Sequence, residues 1–262
     1  MSGDVSWWGL AGSLIMVAAV GVVSFRQRLR LERDLVVAVV RSLAQLLLVG
    51  AALGIIVDPN TWIGWSFAWV VGMILFAALT ISRRAPQLPG VFVVALAALV
   101  ASAVAGLGLL FALGIFPVQG RTVVPLAGMV VGNSLAASVV TVRRLVDAVA
   151  ERRADLEARL ALGLPWQEAV RPTVRNVLRT GIAPDVERIK ALGIVVLPGA
   201  MTGLILAGVA PLDAVRVQLA LMYVILGAVT TTATVVALLG TRRLFTDDHR
   251  LKPLARDARD EG

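Results

Sequence analysis

Seven apolar stretches, spaced along almost the whole chain, constrain its fold more than any other feature. They run Trp7–Val23, Leu35–Val57, Trp62–Ile81, Val91–Phe116, Thr122–Val142, Ala191–Val209 and Val215–Leu239; six are clear and one is shorter. Each is close to the roughly 17–25 residues that cross a hydrocarbon core. Backbone groups inside a bilayer must be satisfied within the segment, so such stretches fold as helices. Asp58-Pro59-Asn60 and Ala210-Pro211-Leu212-Asp213 are the short turns that break the pattern. Composition agrees: 58% of the 262 residues are hydrophobic and 16% are charged, against about 25% charged in a soluble domain.

The basic residues orient the helices. Arg26, Arg28, Arg30 and Arg33 follow the first stretch, and Arg83 and Arg84 the third. Arg143 to Lys190 follow the fifth, and Arg242 to Arg259 the seventh. Of the 25 Lys and Arg residues, only Arg41, Arg121 and Arg216 fall elsewhere. The expected fold is therefore all-α and polytopic, with seven transmembrane helices, N-terminus outside and C-terminus inside. One transmembrane domain covers residues 1–246, with a cytoplasmic segment at 143–190. The mixed-charge tail 247–262 is expected to be a disordered cytoplasmic extension. The net charge of +8 is read as topology, which excludes nucleic acid as a partner. No basic n-region precedes the first stretch, so it is expected to be retained. There is no cysteine, hence no disulfide framework or thiolate metal site. No Gly-rich phosphate loop ending in Lys-Ser/Thr occurs, so energy must come from a partner or a gradient.

Between the fifth and sixth stretches lies the one long polar segment. Leu156, Leu160 and Leu164 sit four apart, on one face of a helix. Gly163 suits a left-handed stop, and Pro165 suits the opening of a second helix. In that second helix Val170, Val174, Val177 and Leu178 form an apolar stripe, and Arg171, Arg175 and Arg179 a basic one. This predicts a helix–turn–helix elbow suited to docking on a soluble partner. The alternative is a basic amphipathic segment lying on anionic lipid.

Polar residues inside the apolar stretches are candidate path or gating groups. Arg41 lies about 9 Å into the second stretch, with Gln45 one turn further on, and paired intramembrane charges are commonly functional. Gly128 and Gly132 are spaced for close helix approach, and the adjacent Asn133 needs a partner. Pro198 and Gly199 predict a kink in the sixth stretch, where Met201 and Thr202 would face a pathway. Gln218 and the Thr230-Thr231-Thr232 run add polar surface to the seventh, the threonines being expected to bond back to their own helix. The spans hold no Asp, Glu, His or Cys between their ends, so any metal ligands are unknown.

Glu157-Ala158 followed by Gly163 resembles the coupling loop of ABC-transporter permeases, although Arg159 stands where the loop pattern has a second Ala. More of the chain is similar to one family. Arg41-Ser42-Leu43-Ala44-Gln45, Met129-Val130-Val131-Gly132-Asn133-Ser134 and Leu160-Ala161-Leu162-Gly163 carry the likeness. Leu197-Pro198-Gly199-Ala200-Met201-Thr202-Gly203 is its strongest stretch, followed by Pro211 and Gln218. The chain resembles the FetB (YbbM)-type ABC permeases, associated with iron export, and the related plant aluminium-tolerance membrane subunits. The resemblance implies a non-enzymatic permease subunit in the plasma (inner) membrane, assembled as a homodimer with two cytoplasmic ATPase subunits. ATP and Mg would bind the partner, and this chain would hold no cofactor. Glu157, Ala158, Gly163, Pro165, Arg171 and Arg175 would then couple to the ATPase. Arg41, Gln45, Asn133, Pro198, Gly199, Met201, Thr202 and Gln218 would line or gate the path. The rival reading is a gradient-driven secondary transporter or channel without an ATPase, against which stands the lack of mid-span carboxylates.

Overall fold

The computed structural model describes residues 7–29, 31–56, 58, 61–193, 197–246, 248 and 250–252. Among these the protein is all-helical, with nine helices: α1 (Trp7–Arg26), α2 (Glu32–Ile56), α3 (Gly64–Arg84), α4 (Val91–Ala112), α5 (Gly120–Glu151), α6 (Arg153–Ala161), α7 (Trp166–Lys190), α8 (Gly199–Leu206) and α9 (Pro211–Leu244). The chain divides into two compact units, Met1–Thr61 and Trp62–Gly262.

The first unit is the hairpin of α1 and α2. Arg28 takes a left-handed φ of 55° between them. Ser24 staples the turn: its Oγ donates to Glu32 Oε1 at 2.9 Å and accepts the Leu31 N–H at 3.1 Å. Thr61 N–H donates to the Asp58 carbonyl at 2.9 Å, while Pro59 and Asn60 of the expected turn lie outside the described residues.

The second unit packs α3, α4, α5 and α9 around one core. Ala77, Ala78 and Ile81 of α3, Ala98 and Leu99 of α4, and Val142 and Leu145 of α5 are buried there together with Val236 of α9. Small residues bring the helices close. A Cβ at Gly240 would lie 3.0 Å from Leu145 and 3.2 Å from Leu88, and one at Gly106 would lie 3.3 Å from Val224 and 3.4 Å from Val130. Gly128 and Gly132 do not play this part. A Cβ at Gly128 would meet only the Met73 methyl at 3.5 Å, and one at Gly132 would meet nothing within 4 Å.

The outer surface is apolar. Phe76 and Leu79 of α3, Val93 and Val104 of α4, and Leu238 of α9 are exposed, far more contiguous apolar surface than a water-soluble monomer carries. Trp62 and Trp65 are exposed at the start of α3, where the headgroup region favours their amphipathic rings.

Among the described residues, five helices are long and apolar enough to cross a membrane: Glu32–Gly54 within α2, and α3, α4, α5 and α9. Leu14–Arg26 of α1 is a shorter apolar helix. The sixth expected span departs most. A single kinked helix over Ala191–Val209 is not what the chain forms. Residues 191–193 are a turn, residues 194–196 lie outside the described set, and α8 begins only at Gly199. Pro198 caps α8 in an extended conformation, φ −66° and ψ 143°. A proline also drives the residue before it away from helical geometry, so the helix restarts rather than bends. Boundaries shift as well. α5 runs nine residues beyond the expected end at Val142, reaching Glu151. After α9 the chain turns back, with Phe245 bridging to Leu251 and Lys252 N–H donating to the Leu244 carbonyl at 2.9 Å. Of the tail expected to be disordered, 247, 249 and 253–262 lie outside the described residues.

Candidate functional site

The elbow is built from its turn outward. α6 ends in a Schellman motif: Leu164 N–H donates to the Arg159 carbonyl at 3.2 Å and Gly163 N–H to that of Leu160 at 3.0 Å. This geometry needs a left-handed residue after the cap, and Gly163 supplies it with φ 88°. Pro165 is extended, φ −64° and ψ 146°, and caps α7 from just outside its first turn rather than from within it.

Both helices face their apolar stripes to the bundle. Leu156 of α6 and Ala169, Val170 and Val177 of α7 are buried in the core that holds Leu145, Val149 and Leu244. Leu160, Trp166 and Val174 pack against it, half-buried. Polar links reinforce the seat. Arg144 donates to the Thr180 carbonyl at the middle of α7. Arg143 donates to the Arg84 carbonyl at the end of α3, at 2.7 Å. The Trp166 indole stacks on Phe245, centroids 5.4 Å apart at 15°. A helix merely resting on lipid would not need such anchors.

What faces away from the bundle is equally specific. Leu162 is 81% exposed, and Ala161, Gly163 and Pro165 are exposed beside it. Arg171, Arg175 and Arg179 are exposed on the outer face of α7. Glu157 and Ala158 are exposed on α6, Glu157 accepting from Arg153 Nε at 2.8 Å. The tip is thus an apolar knob on a rigid base, flanked by charge.

The candidate path residues fall on α2, α5, α8 and α9. Arg41 and Gln45 are exposed on α2, in the first unit. Arg41 makes no hydrogen bond or ion pair among the described residues. Asn133 turns its amide back, Nδ2 donating to the Met129 carbonyl of its own helix at 2.7 Å. Thr202 likewise donates to the Pro198 carbonyl at 3.2 Å, and Met201 is half-buried. Gln218 is buried on α9, and its Oε1 has no hydrogen-bond partner among the described residues. Its helix carries the cluster of Leu221, Val224 and Ala228, against which Ala200 of α8 packs. So α8 and the first half of α9 are brought together.

Three buried hydroxyls also stand out. Ser134 and Ser138 of α5 and Thr232 of α9 have no hydrogen-bond partner among the described residues. Thr232 therefore departs from the expectation that its run would bond back to its own helix. Among the described residues no group of three or more His, Cys, Asp or Glu is placed to hold a metal ion.

Exposed apolar helices around a tightly packed core, with a charged elbow at one end, define a polytopic membrane protein. The chain belongs to the family described as Uncharacterised protein family (UPF0014), whose model matches residues 7–245. It is 34% identical over 248 residues to the UPF0014 membrane protein STAR2 of Oryza sativa subsp. japonica, covering 92% of this chain and 87% of that one. It is 32% identical over 243 residues to Protein ALUMINUM SENSITIVE 3 of Arabidopsis thaliana, covering 92% and 88%. It is 27% identical over 246 residues to the Probable iron export permease protein FetB of Escherichia coli (strain K12), covering 92% and 93%. No solved structure matches.

Proposed function

We propose that this protein is the transmembrane subunit of an ATP-driven transporter in the plasma membrane, exporting iron or another metal ion, and that a separate cytoplasmic ATPase powers it. The α6–α7 elbow carries the reading. Its apolar stripe is seated on α5 and α9, while Leu162 and the Gly163 turn stand free at the tip. A rigid seat with a protruding apolar knob can pass a push from a soluble partner into the long helices. An unanchored amphipathic helix would absorb it. Iron as substrate rests on the name of the FetB relative.

In this reading Glu157, Ala158, Gly163 and Pro165 shape the docking surface, and Arg171 and Arg175 supply charge beside it. ATP and Mg belong to the partner, and two copies of this chain assemble with two ATPases. Arg41, Gln45, Asn133, Met201, Thr202 and Gln218 border or gate the path. The Pro198–Gly199 break lets α8 shift against α9.

The test is copurification of the solubilised, tagged protein with its ATPase, wild type beside Gly163→Asp. An ATPase held by the wild type and lost from the variant supports coupling at the elbow. No ATPase with either form overturns the reading in favour of a gradient-driven transporter.

A further inference from the structure

A cavity of about 640 Å³ opens where the start of α4 meets the end of α9. Arg242, Arg243 and Lys252 line it, with Val93, Leu239 and Phe245, and among the described residues no carboxylate does. Three like charges around one hollow repel one another. The fold nonetheless holds them there. Gly90, at φ 67°, leaves room for the Arg243 guanidinium, whose Cζ would lie 3.6 Å from a Cβ at that position. The hairpin after α9 brings Lys252 back, its N–H donating to the Leu244 carbonyl at 2.9 Å. The first turn of α4 adds the positive end of a helix dipole. A group with negative charge and several acceptor oxygens relieves this arrangement, and guanidinium forks match a phosphate.

The other wall selects the source of that phosphate. Val93 is 55% exposed and Leu239 is 38% exposed. Both lie on the outward faces of α4 and α9, where Val100 and Leu238 continue the apolar surface. A headgroup among the three cations can therefore lay its acyl chain on that surface, which a soluble phosphate cannot use. We propose that this cavity binds the phosphate of an anionic phospholipid. Phe245, which lines it, stacks on Trp166 at the start of α7, so the bound lipid also braces the elbow. The binding does not depend on an ATPase partner.

The test uses the full-length protein in detergent, with adducts counted by native mass spectrometry. The probes are dioleoyl phosphatidylglycerol, dioleoyl phosphatidylcholine and inorganic phosphate. One basic residue near a membrane surface is worth about fivefold in binding, so Arg242→Gln/Arg243→Gln/Lys252→Gln loses on the order of a hundredfold for phosphatidylglycerol. Lys252→Gln alone, outside the helices, loses about fivefold and serves if the triple variant fails to fold. Equal retention of phosphatidylcholine by the wild type overturns the proposal. So does an equal loss in Arg171→Gln/Arg175→Gln/Arg179→Gln, which removes the same charge elsewhere. Binding of inorganic phosphate as tight as that of the lipid overturns the lipid source.

Discussion

Leu156 and Leu162 lie six residues apart on one short segment and should fail in opposite ways. Leu156 is 1% exposed and is the one buried residue of α6. α6 has nine residues, below the ~12–15 at which an isolated helix holds together in water. Its persistence therefore depends on that side chain. Truncating a fully buried Leu to Ala costs about 2–5 kcal/mol, which at 1.4 kcal/mol per decade multiplies a local opening constant by roughly 30 to 4000. α7 keeps its own buried Ala169, Val170, Thr173 and Val177. The damage in Leu156→Ala should thus stay in α6. Hydrogen exchange read by mass spectrometry should show residues 153–161 losing protection by that factor, while α7 and α9 are unchanged. Leu162→Ala, at an 81% exposed site, should leave exchange unaltered and weaken ATPase capture. Unchanged protection of α6 in Leu156→Ala would refute the anchoring argument. Intact ATPase capture by Leu162→Ala would refute the knob.

Two glycines of α9 should respond oppositely to alanine. Gly240→Ala forces a Cβ to 3.0 Å from Leu145 and should cost about 1–3 kcal/mol, whereas Gly227→Ala meets nothing within 4 Å and should gain about 1 kcal/mol in helix propensity; thermal unfolding in detergent reads both signs. Ser138→Ala removes a buried hydroxyl without a partner, so Tm should hold or rise, by the equivalent of about 1–3 kcal/mol at most. A fall in Tm would mean that the hydroxyl bonds something bound in the membrane.

Much of this was legible in the sequence because it is local. Gly163 announces a left-handed stop, and leucines four apart announce a buried face, whatever the rest of the chain does. The five long apolar helices follow from length and composition. What escaped depends on tertiary position. Gly128 and Gly132 carry the close-packing spacing, yet Gly106 and Gly240, outside any such pair, are where helices meet. Ser138 and Thr232 resemble any hydroxyls that bond back to their helix until packing fixes where they point. The stack of Trp166 on Phe245 joins residues 79 apart, and no spacing rule reaches that far. Pro198 was readable as a disturbance. Whether a proline bends a helix or restarts it depends on the backbone conformation at and before the ring, which composition does not reveal.

That restart bears on how many times the chain crosses the bilayer. α8 has eight residues, a rise of about 12 Å against a core of about 30 Å, so it cannot cross alone. Its neighbours nevertheless point to a crossing. Val130 of α5 and Val224 of α9 both flank Gly106, and 15 and 16 residues further on Leu145 flanks Gly240, so α5 and α9 run parallel. Gly181 of α7 lies beside Thr141 of α5, a Cβ there being 3.8 Å from its Oγ1. Thr141 is 11 residues beyond Val130, and Pro211 is 13 residues before Val224. At 1.5 Å per residue the chain from Gly181 to Pro211 therefore climbs about 36 Å along the bundle. A climb of that length is enough to cross the core, and the part of it made without helix needs cover from protein or water for its backbone groups. The chain has no cysteine, so single-cysteine labelling tests this cleanly. In intact cells an impermeant maleimide should label Leu212→Cys, and label Asn176→Cys only after permeabilisation. Both sites labelled in intact cells, or both only after permeabilisation, would show that residues 182–210 return to the side they left, and the parallel packing of α5 and α9 would have to be wrong.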